Sequence, residues 1–142
     1  MPTRTAQCAC GRLQVDVMGE PLHVAVCNCD FCQKRTGSVF QVGAYFAEDQ
    51  FVEIRGEVKG YNGLEVDGVP AVGGQSGTYH FCPTCGSTVY WDTPSGLRAV
   101  AVGNFVDPNF PAPTIETWTS LRHNWVPPVP GAAHFEAFPP GV

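Results

Sequence analysis

Charge is scarce in this 142-residue sequence: Asp, Glu, Lys and Arg make up only 15%, and 8 basic residues face 13 acidic ones for a net charge of −5. No basic run is present, which excludes a nucleic-acid partner gripped through its phosphates. The sequence also lacks an apolar run near the ~18 residues of a membrane span, and Met1 to Gln7 has no apolar signal-peptide core. The expectation is a soluble cytoplasmic protein with no membrane partner. Internal repeats, low-complexity tracts and long helical periodicity are missing too. What is there is apolar: 44% hydrophobic residues exclude a disordered, charge-rich chain, and the length suits one domain over 1–142.

Sixteen glycines and 13 prolines punctuate short apolar segments, the signature of a mainly-β domain. From Arg12 to Val17, apolar Leu13, Val15 and Val17 alternate with Arg12, Gln14 and Asp16, a half-buried strand. Leu22–Val26, Val39–Phe46, Thr78–Phe81, Ser87–Trp91, Arg98–Val102 and Thr114–Leu121 read as further strands. Phe51–Arg55 and Val58–Tyr61 suggest a hairpin around Gly56-Glu57. Only Asp30–Thr36 reads as helix, with Asp30 as N-cap and Gly37 as a left-handed stop. The core is expected over about 8–125, and the Pro-rich segment 126–142 as an extended surface tail pinned by Trp125, Phe135 and Phe138.

The seven cysteines carry most of the information: Cys8 and Cys10; Cys27, Cys29 and Cys32; Cys82 and Cys85. An odd number cannot pair fully into disulfides, and gaps of one and two residues are metal-ligand spacings. Cys82-Pro83-Thr84-Cys85-Gly86 is a zinc knuckle, two thiolates on a tight turn that a glycine lets the chain leave. A closed structural site needs four ligands, and Cys8-Ala9-Cys10-Gly11 is the matching half. Cys27-Asn28-Cys29-Asp30-Phe31-Cys32 places three thiolates at a strand-to-helix turn, leaving a fourth position for water or substrate. Three thiolates on a divalent ion give a weak Lewis acid, better suited to holding another thiolate than to making hydroxide. Spacing alone leaves alternatives: a closed site completed by His23 or His80, a metal-free redox cluster, or thiols buried as small apolar groups.

Taken together, Cys8-x-Cys10-Gly11, Cys27-Asn28-Cys29-x-x-Cys32-x-Lys34-Arg35-x-Gly37 and Phe81-Cys82-x-x-Cys85-Gly86-Ser87 resemble the glutathione-dependent formaldehyde-activating enzyme family, whose domain also occurs in centromere protein V. Ser76-Gly77 and the Trp125 region fit the same pattern. The resemblance implies a single-domain, Mss4-like arrangement of folded β-sheets carrying two zinc ions. Cys8, Cys10, Cys82 and Cys85 match the structural ligands, and Cys27, Cys29 and Cys32 the catalytic ones. It further implies S-(hydroxymethyl)glutathione synthase or carbon–sulfur lyase activity on glutathione plus formaldehyde. The other reading is a non-catalytic zinc module that binds a thiol ligand or a protein.

Around the triplet, Lys34 and Arg35 are candidate contacts for a substrate carboxylate, set against solvated cations at a helix end. Gln33, Thr36 and Ser38 are candidate hydrogen-bond donors, and Asn104 and Phe105 candidate cleft residues. His123 and His134 read as surface residues, while Trp91, Trp118 and Trp125 read mostly as core.

Overall fold

Period-two alternation organises two sheets whose apolar faces meet. The computed structural model describes residues 1–62, 65–66, 69–70 and 77–139; Ser76 and the end of the tail, Pro140 to Val142, lie outside them. In chain order the elements are β1 (Thr3–Gln7), β2 (Gln14–Met18), β3 (His23–Cys27), α1 (Asp30–Thr36), β4 (Gln41–Phe46), β5 (Phe51–Arg55) and β6 (Lys59–Asn62). They continue with β7 (Glu65–Val66), β8 (Val69–Pro70), β9 (Thr78–Phe81), β10 (Thr88–Asp92), β11 (Arg98–Ala101), β12 (Ile115–Thr117) and β13 (Ala133–His134). A three-stranded sheet runs β1-β2-β5 and an eight-stranded sheet runs β13-β12-β3-β4-β11-β10-β9-β6, while β7 and β8 pair with each other. No helix among the described residues is long and apolar enough to cross a membrane.

Strand register sorts the large sheet into two faces. On one, Val24, Ala44, Phe46, Tyr90 and Val100 pack against Ala6, Leu13, Val15 and Val17 from the small-sheet hairpin. On the other, His23, Tyr45, Ala99, Trp91, Tyr79 and Tyr61 form one row across six strands, each the register partner of the next. Their rings touch along the row: His23 stacks on Tyr45 at 4.4 Å, Tyr45 meets Trp91 edge-on at 6.4 Å, and Trp91 lies 5.6 Å from Tyr79. This second face carries α1 and the cysteine triplet.

Several expectations change. The hairpin around Gly56-Glu57 does not form, because β5 pairs with β2 and β6 with β9, so that turn passes the chain between sheets. Gly56 (φ 99°) runs against the Arg12 backbone, where a Cβ would meet the carbonyl oxygen at 2.0 Å. An additional strand, β1, precedes Cys8. The tail regains ladder pairing between Pro130 and Pro139: β13 runs parallel to β12. Phe138 pins it, edge-on to Trp118 at 5.4 Å, whereas Trp125 is 69% exposed and meets His123 edge-on at 6.0 Å. The strand expected over Thr114–Leu121 is cut to Ile115–Thr117 by Trp118, whose φ of 54° breaks the ladder.

Candidate metal centres

Both halves of the first thiol group sit at hairpin ends, one from each sheet. After β1, the Cys8 N–H donates to Leu13 O at 2.9 Å and the Gly11 N–H returns to Cys8 O at 3.0 Å. After β9, the Cys82 N–H donates to Ser87 O at 3.0 Å and the Gly86 N–H to Cys82 O at 2.8 Å. Gly11 and Gly86 both leave their turns at φ 80°, where an L side chain is strained. The Ala9 N–H donates to Ser87 Oγ at 3.0 Å, tying one turn to the other.

This geometry brings Cys8, Cys10, Cys82 and Cys85 together, with all four sulfurs within 4.8 Å of one another. Cys8 Sγ and Cys10 Sγ are 3.6 Å apart, and Cys10 Sγ and Cys82 Sγ 3.7 Å. A tetrahedron with Zn–S bonds of about 2.3 Å has edges of about 3.8 Å, so the donor set fits zinc in kind and in size. The Leu13 N–H donates to Cys8 Sγ at 3.2 Å. The Ser87 hydroxyl and N–H, with the Cys10 N–H, pull the Cys85 thiol down to about 5. The Arg12 N–H lowers Cys10, while burial raises Cys8.

The second group forms where β3 gives way to α1. Cys27 ends the strand, Cys29 is the helix N-cap and Cys32 lies in the first turn. Their sulfurs also lie within 4.8 Å of one another. Cys29, rather than the expected Asp30, caps the helix: its Sγ accepts the Cys32 N–H at 3.3 Å, and Asp30 becomes the first helical residue. A cysteine sulfur does here what a carboxylate does in an ordinary cap, so candidate ligand and cap are one residue. Gly37 closes the helix as expected, at φ 73°. Hydrogen bonds from Cys29 and Cys32, helped by Thr117, hold the Cys27 thiol down at about 3. The same interaction with Cys27 pushes Cys29 up to about 11 and raises Cys32.

No histidine among the described residues joins either group. His23 stacks on Tyr45, and burial keeps its pKa below the usual value. His80 faces the opposite side of the sheet, stacked on Tyr90 at 4.3 Å and bonded to Asp92 at 2.8 Å.

The charged candidates flank the trio differently. Lys34 points outward and pairs with Asp30 one turn earlier. Arg35 lies over Tyr79 at 4.3 Å and over Trp91 at 5.5 Å, with a buried Nε that has no partner among the described residues. Asp30, Phe31, Lys34, Arg35 and Tyr61 line a cavity of about 400 Å³. Two of the neutral candidates, Gln33 and Thr36, spend their side chains on the protein itself. Gln33 donates to Asn28 O at 2.8 Å and Leu121 O at 3.1 Å, and its Oε1 accepts from His123 at 2.9 Å. Thr36 donates to Cys32 O at 2.7 Å, and the Ser38 N–H donates to Thr36 Oγ1 at 3.0 Å. Asn104 is spent on Thr88 O and Phe105 is buried in the inter-sheet core, so neither lines a cleft.

Sequence reasoning missed Asn28, Gln41, Tyr45, Thr117 and Trp118. Thr117 and Gln41 are the register partners of Cys27 on its two neighbouring strands. Fully buried Asn28 donates from Nδ2 to Thr117 O at 3.0 Å, and Trp118 packs against the Cys29–Cys32 cluster. Burial raises the Tyr45 hydroxyl, reinforced by the charges of Cys27 and Cys32. Only Asn28, lying inside the cysteine run, and Gln41, polar in an apolar strand, carry any signal in the sequence.

The fold and the two thiol groups define a small β-sheet protein with two cysteine clusters that could each hold a metal ion, one of four donors and one of three. The family model described as glutathione-dependent formaldehyde-activating enzyme matches residues 3–121, and the chain belongs to that family. No curated protein matches the sequence at a significant level.

Proposed function

We propose that the protein is a zinc-dependent carbon–sulfur lyase of the S-(hydroxymethyl)glutathione synthase type, joining glutathione to formaldehyde and cleaving the same adduct. The carrying observation is the pair of unequal thiol groups: four sulfurs enough for a tetrahedron, and three that are one donor short at the start of the helix whose Asp30, Phe31, Lys34 and Arg35 line a cavity. In this reading Cys8, Cys10, Cys82 and Cys85 hold a structural zinc, and Cys27, Cys29 and Cys32 a catalytic one. Zinc in the three-thiolate site supplies a weak Lewis acid that favours the deprotonated form of a substrate thiol and polarises an oxygen next to it. The reaction balances without redox change: an S–C bond forms, the carbonyl π bond breaks, and the thiol proton ends on oxygen.

The chain's own residues supply position. Arg35, held over two aromatic rings, keeps a guanidinium edge for a substrate carboxylate. Asp30 and Lys34 set both signs of charge at the cavity mouth, which suits the zwitterionic end of glutathione. Phe31 and Tyr61 wall the cavity with apolar surface. Thiols add to aldehydes unaided, so proximity is the main catalytic contribution. A reducing, glutathione-rich cytoplasm would keep all seven thiols ready for metal.

The test is the rate of adduct formation from glutathione and formaldehyde, measured by exchange NMR with wild type and Cys29→Ser at equal protein concentration. Wild type is expected to accelerate exchange and the variant to lose the acceleration while keeping its far-UV spectrum. Equal rates end the catalytic assignment.

A further inference from the structure

Buried side-chain polar atoms are nearly always hydrogen-bonded. Around the cysteine trio, besides Trp91 Nε1, four are not: Asn28 Oδ1, Gln41 Oε1, Arg35 Nε and Trp118 Nε1 have no protein partner among the described residues. They flank the site from several sides. Arg35 rides on α1 above Tyr79. Trp118 follows Thr117, the partner of Cys27 on β12. Gln41 opens β4 as the partner of Cys27 on the opposite strand.

Gln41 is the most informative of the four. Directly paired antiparallel residues project from the same face with Cβ atoms about 4.5–5.5 Å apart, so its side chain leaves the strand beside Cys27, one of the three thiols. The residue is only 7% exposed, and its oxygen is shut away from solvent. Along β4 the same face continues with Gly43 and Tyr45, with Ala99 beside Tyr45, so packing alone does not ask for an amide here. Nor is the oxygen used to hold another element, unlike Gln33, whose amide is fully engaged. An unspent acceptor next to a three-donor metal site fits a ligand that brings its own O–H. Neither a plain thiol nor an aldehyde carries one, whereas their adduct does.

We propose that Gln41 is the specificity-determining residue that recognises the hydroxyl of the thiol–aldehyde adduct, its Oε1 accepting the hydrogen bond from S–CH2–OH. This rests on the proposed function for the nature of the substrate. Trp118 Nε1–H, on the other flank of Cys27, complements it as a donor to the same hydroxyl oxygen. A site built to hydrogen-bond a substrate hydroxyl discriminates strongly against an analogue without it, because its buried polar atom is then left unpaired.

The experiment compares three probes on the zinc-loaded full chain by calorimetry: glutathione, glutathione saturated with formaldehyde, and S-methylglutathione. Wild type is expected to bind the adduct at least about tenfold more tightly than the S-methyl compound. Gln41→Met, which keeps length and volume without the acceptor, is expected to bring that ratio close to one while leaving the affinity for glutathione unchanged. Gln41→Glu, which restores an acceptor, is expected to keep the preference. If Gln41→Met does not fold, Gln41→Leu against Gln41→Glu gives the same ratio. A ratio unchanged in the Met or Leu variant overturns the proposal, as does an equal loss for all three probes, which would mark a packing role. Wild type that accelerates adduct formation but shows no preference overturns Gln41 alone. Wild type that binds none of the three probes overturns the lyase reading as well.

Discussion

A methyl group placed on Gly43 would meet Trp91 Cζ2 at 2.8 Å and Cη2 at 3.1 Å. Gly43 lies two residues from Gln41 on the face of the trio, and Trp91, fully buried between Tyr45 and Tyr79, has nowhere to go. Gly43→Ala is therefore expected to cost about 1–3 kcal/mol in urea unfolding, typical of overpacking, and to weaken glutathione binding because the shifted indole supports Arg35. Asp16 makes a pH prediction. Arg55, joined by the Thr5 hydroxyl, holds its carboxyl below the usual range, through contacts of 2.6 Å and 2.7 Å. A carboxyl whose folded pKa is depressed adds stability above its unfolded value of about 3.9, and the contribution fades as pH falls through the folded value. Asp16→Asn should thus be less stable than wild type near neutrality, with the difference gone in strong acid. A gap between the urea midpoints that persists there would contradict the assignment. At this scale the sequence displayed the two thiol groups clearly, because sulfur donors on tight turns demand fixed spacings. It concealed Thr117 and Tyr45, whose roles follow from strand register across long separations.

Among the elements, β12 is short but central: parallel pairing places Thr117 beside Cys27 and brings β13 onto its outer edge. Glu116, 1% exposed, fastens this corner. Its carboxylate accepts from Arg122 at 3.0 Å and from the Val129 N–H at 3.1 Å, with His134 at 3.3 Å. Glu116→Gln leaves the Arg122 guanidinium without its counter-charge, and breaking a buried pair from one side costs about 3–5 kcal/mol. The expected outcome is a lower urea midpoint and faster proteolysis within 126–139; a tail as resistant as that of wild type would show that Glu116 does not hold it. Strands with clear alternation, β2 above all, were legible to within a residue or two. The tail strand was not, because prolines at 127, 128 and 130 mask a pairing segment that begins only after them. The supposed hairpin failed for a different reason. Two adjacent strand-like segments predict pairing only if the turn keeps them in one sheet, and Gly56 instead carries the chain against Arg12.

For the molecule as a whole, the four-thiol group is the point where the two sheets are joined. Cys8 and Cys10 close the β1–β2 hairpin of the small sheet, Cys82 and Cys85 the β9–β10 hairpin of the large one, and Cys10 and Cys82 are 72 residues apart in sequence. An ion bound there contributes folding free energy directly. Zinc binding in small zinc peptides is coupled to ~10–16 kcal/mol, comparable to or larger than the whole stability of ~5–15 kcal/mol usual for a domain. The trio joins only neighbouring parts of one face, where β3 is already paired on both sides and buried through Val24 and Val26. Losing an ion there leaves the inter-sheet core intact. Graded chelation followed by elemental analysis and circular dichroism is therefore expected to release two zinc ions per chain in sequence. The first should leave with loss of thiol binding and little spectral change, the second together with unfolding. Cys29→Ala should behave as the first stage made permanent, folded with one zinc, whereas Cys82→Ala should fail to fold or express. A Cys82→Ala protein that melts like wild type would show that the sheets hold together without the ion and would remove the structural role from that group.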